Sequence, residues 1–265
     1  MTGTTLTAGT VRSADGTTIA YERSGDGPAI VLVGGAFNDR STTRPLAAAL
    51  AGDFSVLGYD RRGRGDSGDT APYAVQREIE DLAALIGAAG GTAYLYGVSS
   101  GAILAALATA AGLPVARLAL FEPPFQVGPH AGSRPALAPR LAELVAGGRR
   151  GDAVECFMID AVGVPADQVR GMRDQPMWSW LEMMAPSLVH DATVTGDGRV
   201  PAERLAAITA STVVVDSTGS PQWLRDAARA TAESVPGARR VSLEGGFHEV
   251  PAERLAAELR RLLLG

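Results

Sequence analysis

The chain has 265 residues, a net charge of −5 and 46% hydrophobic residues. That is enough apolar material for one large α/β domain or two small ones, and the acidic balance argues against a nucleic-acid partner, which wants a basic face. All 24 basic residues are Arg, so there is no Lys for Schiff-base chemistry or for a Lys-bearing phosphate loop.

In chain order, Met1-Thr2-Gly3-Thr4-Thr5 has neither a basic start nor an apolar stretch. This predicts no signal peptide and a cytoplasmic location. Residues 7–24 alternate around Asp15-Gly16 and read as a hairpin. Ala29-Ile30-Val31-Leu32-Val33 is continuously apolar, as expected of a strand covered on both faces, and Gly34-Gly35 follows at once. Residues 41–51 suit a helix, Phe54–Gly58 a strand, Tyr73–Ala89 a helix, 92–96 a strand and 100–111 a helix ending at Gly112. Val115–Phe121 is the sixth strand. The alternation predicts a parallel sheet with helices on both faces. The longest apolar window, 94–113, is broken by Ser99, Ser100 and Gly101. It reads as strand-turn-helix rather than a membrane span.

From about 125 to 205 the pattern is helical, with no convincing strand. Thr212–Val215 restores the sheet, followed by a helix from Pro221, a strand at 239–243 and a last helix from Pro251 to Leu264. The predicted organisation is a core of residues 1–124 and 206–265 carrying a helical lid, 125–205, over the strand ends. One octapeptide, Val200–Ala207, recurs at Val250–Ala257. It reads as two similar helix starts, with Pro at the first helical position and an acid in the first turn, not as a structural repeat.

The segment Gly97-Val98-Ser99-Ser100-Gly101 joins an apolar run, Ala93–Tyr96, to a helical one, Ala102–Ala108. A Ser held between two glycines at a strand-to-helix turn is a nucleophile elbow. Side chains flanking so tight a turn would strike neighbouring backbone, hence Gly on both sides. The hydroxyl then stands above the sheet at a helix N-terminus, where unpaired N–H groups can face developing negative charge. A Gly-rich turn with an incidental Ser shows the same five letters, so the rest of the chain has to support this reading. Cys156, the single cysteine, reads as a buried small hydrophobe. Three His and one Cys, widely spaced, form no metal-ligand cluster, and neither metal nor cofactor is expected.

Four segments in one order resemble the α/β-hydrolase fold family, in its lid-bearing actinobacterial form. They are Val31–Ala36 (strand and oxyanion loop), Tyr59-Asp60-Arg61-Arg62-Gly63-Arg64-Gly65-Asp66-Ser67-Gly68 (the Asp-Arg-x-Gly-x-Gly-x-Ser loop), the Gly97–Gly101 elbow, and Gly246-Phe247-His248 (the loop after the last strand). The resemblance implies a mostly parallel sheet flanked by helices, with the lid inserted after the sixth strand. It implies Ser99 as nucleophile, His248 as base, and the backbone N–H groups of Ala36 and Ser100 as the oxyanion hole. It also explains Arg64-Gly65-Asp66, which otherwise spells an adhesion tripeptide, and it gives Asp60 and Arg61 the task of tying loops together.

Two features depart from the family pattern. Gly34 stands where the oxyanion loop usually carries His. Ser220 falls where the triad acid is expected, and Ser cannot carry the charge that stabilises an imidazolium. Glu122, at the end of the sixth strand, is the favoured substitute; certain haloalkane dehalogenases resemble this by placing their acid there. Asp216 is the alternative acid, and Glu122 before Pro123-Pro124 could instead only anchor the entry to the lid. His130 and His190 read as surface or capping residues. Phe37, Phe125, Trp178 and Met183 are candidate walls of an apolar substrate pocket, since Met-rich lids adapt to varied apolar ligands.

The expected function is cofactor-free hydrolysis of an ester, lactone or thioester of an apolar small molecule through an acyl-enzyme, with no membrane partner. Carbon–carbon hydrolysis or cyclisation on the same scaffold, and a non-catalytic small-molecule receptor, are the alternatives. Halide release and epoxide opening do not fit, because the elbow nucleophile of those relatives is Asp.

Overall fold

A computed structural model describes residues 6–128, 131–132 and 137–265. Eight strands form one sheet: β1 (Thr7–Arg12), β2 (Thr18–Ser24), β3 (Ala29–Val33), β4 (Ser55–Tyr59), β5 (Ala93–Val98), β6 (Val115–Phe121), β7 (Ser211–Ser217) and β8 (Arg239–Leu243). Their spatial order is β1-β2-β4-β3-β5-β6-β7-β8. The hairpin pair β1/β2 and the pair β2/β4 are antiparallel; every other pairing is parallel.

The helices α1 (Arg40–Leu50), α2 (Val75–Ala88), α3 (Ser100–Ala110), α10 (Gln222–Ser234) and α11 (Ala252–Leu264) accompany the strands. Between β6 and β7 the chain makes a helical insert: α4 (Leu137–Ala146), α5 (Arg150–Phe157), α6 (Ala166–Met172), α7 (Trp178–Met184), α8 (Leu188–Thr195) and α9 (Ala202–Leu205). Among the described residues no helix is long and apolar enough to cross a membrane.

The unbroken apolar run of β3 has a simple cause. Successive side chains of a strand point to opposite faces, and both faces are covered. Val31 and Val33 join a cluster with Ile79 and Leu82 of α2 and Ile103 of α3. Ile30 and Leu32 join a second cluster with Leu46 and Leu50 of α1 and Leu259 of α11. Helix α3 is apolar on every side because every residue from Ser100 to Thr109 is buried. Helix α11 shows the opposite pattern, burying Leu255, Leu259 and Leu262 on one face.

The repeated octapeptide does start two helices, but Pro201 and Pro251 occupy the capping position before the first helical residue. The copies then part. Helix α9 ends at Leu205, where buried Ile208 leads the chain into β7, whereas α11 continues through its leucine stripe to Leu264.

Candidate active site

Strand β5 turns into α3 at Ser99, whose backbone sits at φ 56° and ψ −127°. The flanking glycines are required by space. A Cβ on Gly97 would strike the carbonyl oxygen of Gly101 and the Cα of Ala102, and one on Gly101 would strike the carbonyl oxygens of Val33 and Gly34. A Cβ on Gly35 would come within 2.9 Å of the Ser99 Cβ. Gly35 and Gly101 therefore let the end of β3 and the turn after β5 meet, and Gly97 lets the turn itself close. The Ser99 N–H donates to the carbonyl of Phe121 at 2.9 Å, which fastens the turn to β6.

His248 arrives from the loop after β8, in a tight turn closed by the Gly246 N–H donating to the Glu249 carbonyl at 2.8 Å. Its Nδ1 lies 2.8 Å from Oε2 of Glu122. The same oxygen accepts the His248 backbone N–H at 3.1 Å, and Oε1 accepts the Ser217 N–H at 2.8 Å. Glu122 is fully buried. Burial pushes its carboxyl pKa up, but hydrogen bonds from His248, Ser220 and the Ser217 N–H outweigh this and hold it below the ordinary glutamate value. A charged carboxylate beside an imidazole is what an imidazolium needs. Ser220 thus stands next to the acid instead of supplying it. Asp216 is turned elsewhere: it is ion-paired with Arg240, and Arg225 lies 3.9 Å away. The structure brings Glu122 to the histidine, and not Asp216.

Among the described residues only four non-glycine residues have positive φ: Phe37, Ser99, Glu122 and His248. All four belong to this one place. Left-handed backbone at side-chain-bearing residues costs roughly 1–3 kcal/mol each and persists where the surroundings enforce it, commonly at active sites.

Ser99, Ser100, Ala36, Phe37 and His248 line one cavity of about 680 Å³. Its apolar wall comes from Leu137, Phe157 and the Met158, Ile159, Ala161 and Val162 side chains of a π-helical turn that extends α5, a turn that also places Asp160 at the cavity. Trp223 and Phe247 also line it and are partly exposed, at 36% and 42%. Phe37 packs edge-to-face on Phe157, with ring centroids 5.6 Å apart.

Three of the expected pocket residues lie elsewhere. Phe125 is buried among side chains of the sheet and of α2 and α3. Trp178 is buried in the insert's own core, where its Nε1–H donates to Glu182 at 3.2 Å. Met183 is 63% exposed, because α7 turns Leu181 and Met184 inward instead. Residue spacing does not point to Met158, Ile159 and Val162, which line the cavity. They belong to an apolar stretch whose irregular helical turn has no signature in residue spacing.

A buried ionic network lies behind the elbow. Arg61 donates two bonds to Glu78, both 2.7 Å, and one to Asp191 at 2.8 Å. Its Nη1 also reaches the Gly34 carbonyl at 3.3 Å. Arg64 donates to Asp191 at 2.6 Å and to the carbonyls of Gly35 at 2.5 Å and Asn38 at 3.1 Å. The Asn38 Oδ1 in turn accepts the Gly35 N–H at 2.9 Å. These groups fix the loop after β3, from Gly34 to Asn38. Burial pushes the Glu78 carboxyl up, but Arg61 more than reverses this, bringing it down to about 2. Asp60 ties loops as expected, accepting N–H bonds from Arg40 at 2.7 Å and Asp66 at 2.9 Å. Arg64 is only 2% exposed, so the Arg64-Gly65-Asp66 tripeptide cannot act as an adhesive surface.

His190 is not a surface residue. It is 7% exposed, stacked on Tyr73 with ring centroids 3.9 Å apart. Burial lowers its pKa. His130 lies outside the described residues. Cys156 is buried, and burial pushes its thiol up to about 11. Among the described residues no group of three or more His, Cys, Asp or Glu is placed to hold a metal ion.

The sequence model of the Alpha/beta hydrolase family matches residues 30–260. The chain belongs to the alpha/beta hydrolase family. As an α/β-fold hydrolase it closely resembles the crystal structure of an alpha/beta hydrolase from Sphaerobacter thermophilus, with 52% identity, a TM-score of 0.90, and 96% of this chain and 100% of that one covered. It resembles the enol-lactonase from Burkholderia xenovorans in fold, with a TM-score of 0.72 at 21% identity over 96% of this chain and 100% of that one. A curated relative, the uncharacterized hydrolase YraK of Bacillus subtilis, is 34% identical over 38% of this chain; the match spans 38% of YraK's own length.

Proposed function

We propose that this α/β hydrolase is a serine enzyme that cleaves an ester, lactone or thioester of an apolar small molecule through an acyl-enzyme. The observation that carries the reading is the 2.8 Å contact between Glu122 and the Nδ1 of His248, whose ring lines the same cavity as Ser99. The fold of the enol-lactonase neighbour is compatible with it. The helical insert is the lid, and its π-helical turn faces the substrate.

The chemistry follows from the geometry. Nδ1 is committed to Glu122, which leaves Nε2 of His248 as the base for Ser99. Ser99 Oγ attacks the carbonyl carbon while its proton passes to Nε2. The oxyanion that forms is met by the N–H groups of Ala36 and Ser100 at the N-terminus of α3, an interaction worth about 3–4 kcal/mol per donor. His248 then returns the proton to the leaving group, and water repeats the sequence to release the acid. Ionised Glu122 keeps the ring in the right tautomer and offsets the charge of the transient imidazolium. A cavity of about 680 Å³ suits one small molecule held largely by apolar contact.

The test uses short- and medium-chain p-nitrophenyl esters and a fluorophosphonate probe. The native protein is expected to hydrolyse the esters and to label at Ser99, and Ser99→Ala to do neither. Native protein that resists the probe, or Ser99→Ala that retains turnover, overturns the proposal.

A further inference from the structure

Asp191 is a buried carboxylate beside the elbow that the proposed mechanism does not use. Asp191 lies on α8 of the insert, is fully buried, and is far from the His248–Glu122 pair in sequence. It accepts the Ser100 Oγ–H at 2.7 Å. It also accepts Arg61 on Oδ1 at 2.8 Å and Arg64 on Oδ2 at 2.6 Å. Each arginine reaches onward to the loop after β3: Arg61 to the Gly34 carbonyl, Arg64 to those of Gly35 and Asn38. The next residue on α8, Ala192, and Thr195 line the substrate cavity.

We infer that Asp191 is the positioning residue that sets the two halves of the oxyanion hole relative to each other and to the lid. The inference rests on the proposed function, in which the Ala36 and Ser100 N–H groups receive the oxyanion. Those donors come from two segments, the loop after β3 and the start of α3. Asp191 joins them, directly through Ser100 and through two guanidinium groups on the loop side. Guanidinium–carboxylate bonds in a buried site are short and directional, so they hold geometry better than apolar contact does. The carboxylate also belongs to the helix that walls the cavity, so the seating of the lid and the spacing of the donors depend on the same group.

Two variants separate this role from simple support of the fold. Asp191→Asn keeps the shape but leaves one guanidinium charge uncompensated. Ser100→Ala keeps every charge pair and the backbone N–H, and removes only the hydroxyl that ties α3 to the network, through its bond to Asp191 at 2.7 Å and the one it accepts from Arg61 at 3.2 Å. Four quantities are measured on each: kcat and KM for an ester substrate, inhibition by a trifluoromethyl ketone that forms an oxyanion on Ser99, and thermal stability. The expected result is a roughly ten- to a hundredfold fall in kcat with KM within about threefold, since small misplacement of donors acts on the transition state. Ketone affinity falls in proportion to kcat/KM. If Asp191→Asn does not fold, Ser100→Ala carries the same test. Unchanged kcat and ketone affinity in Ser100→Ala overturns the inference, as does a loss of kcat with ketone affinity retained. Either outcome leaves the proposed function standing, because that reading is judged on Ser99→Ala and the fluorophosphonate label.

Discussion

Glu122 and Asp216 stand beside each other where β6 and β7 end, since Phe121 pairs with Val215 in the register of those strands. Both are fully buried. Yet Glu122 meets an imidazole and two backbone N–H groups, and Asp216 meets two arginines. The difference begins in one torsion. Asp216 remains in β7 and shares a face with Val214, toward Arg225 of α10. Glu122 takes φ 49°, leaves the strand, and aims at the loop that carries His248. An acid clamped by guanidinium groups, which never lose their charge, serves packing. An acid beside an imidazole can answer a charge that comes and goes.

The largest effect that would break this comparison is expected for Glu122→Gln. The amide keeps the shape but not the charge, and kcat should fall roughly a thousand- to ten-thousandfold with an intact fold, read by steady-state kinetics and circular dichroism. A wild-type rate in Glu122→Gln would mean that the two acids do not differ as described. Next comes a rescue: Ser220→Asp placed in the Glu122→Gln background returns a carboxylate to the family's usual position beside the same loop. A gain of roughly tenfold over Glu122→Gln alone is expected.

Asp216→Asn should act on stability and not on rate. Leaving Arg240 and Arg225 facing a neutral group should lower the unfolding free energy by about 2 kcal/mol, seen as an earlier denaturation midpoint, with kcat within about twofold of wild type. The smallest effect concerns pH. Glu122 has its folded pKa lowered from 4.5, so the unfolded chain binds its proton first as pH falls. Its stabilisation is therefore complete above the unfolded value and is lost as pH drops through the folded one. The pH dependence of urea unfolding should be steeper in wild type than in Glu122→Gln below about pH 4.5. Equal slopes would show that Glu122 gains no such stabilisation.

How far the sequence could be read depended on how local each signal was. The elbow was legible because Gly97 and Gly101 are demanded by backbone contacts within a few residues and with the adjacent strand. The order of strands and helices is legible from runs such as 29–33 and 115–121, whose continuous or nearly continuous apolar character reflects burial on both faces. Met183 and Met158 both lie in helical stretches of the insert, and residue spacing does not separate them. The rotation of α7 sends the first outward, and the π-helical turn sends the second into the cavity. Asp191 was invisible for a different reason. Its bond to Ser100 spans 91 residues, and no spacing rule links a mid-helix Asp to a loop so far away. The loop motif implies that Arg61 ties loops together, but the carboxylate that completes its network, Asp191, is brought to it only by the fold.

The four left-handed residues at the cavity also say where a toughened version of this protein would go astray. Glycine at position 37 or 122 would relax the backbone, but it would also remove the packing of Phe37 on Phe157 and the buried bonds of Glu122. Thermal engineering of this enzyme is better directed at the far helices, α1 and α11, with turnover assayed at every round.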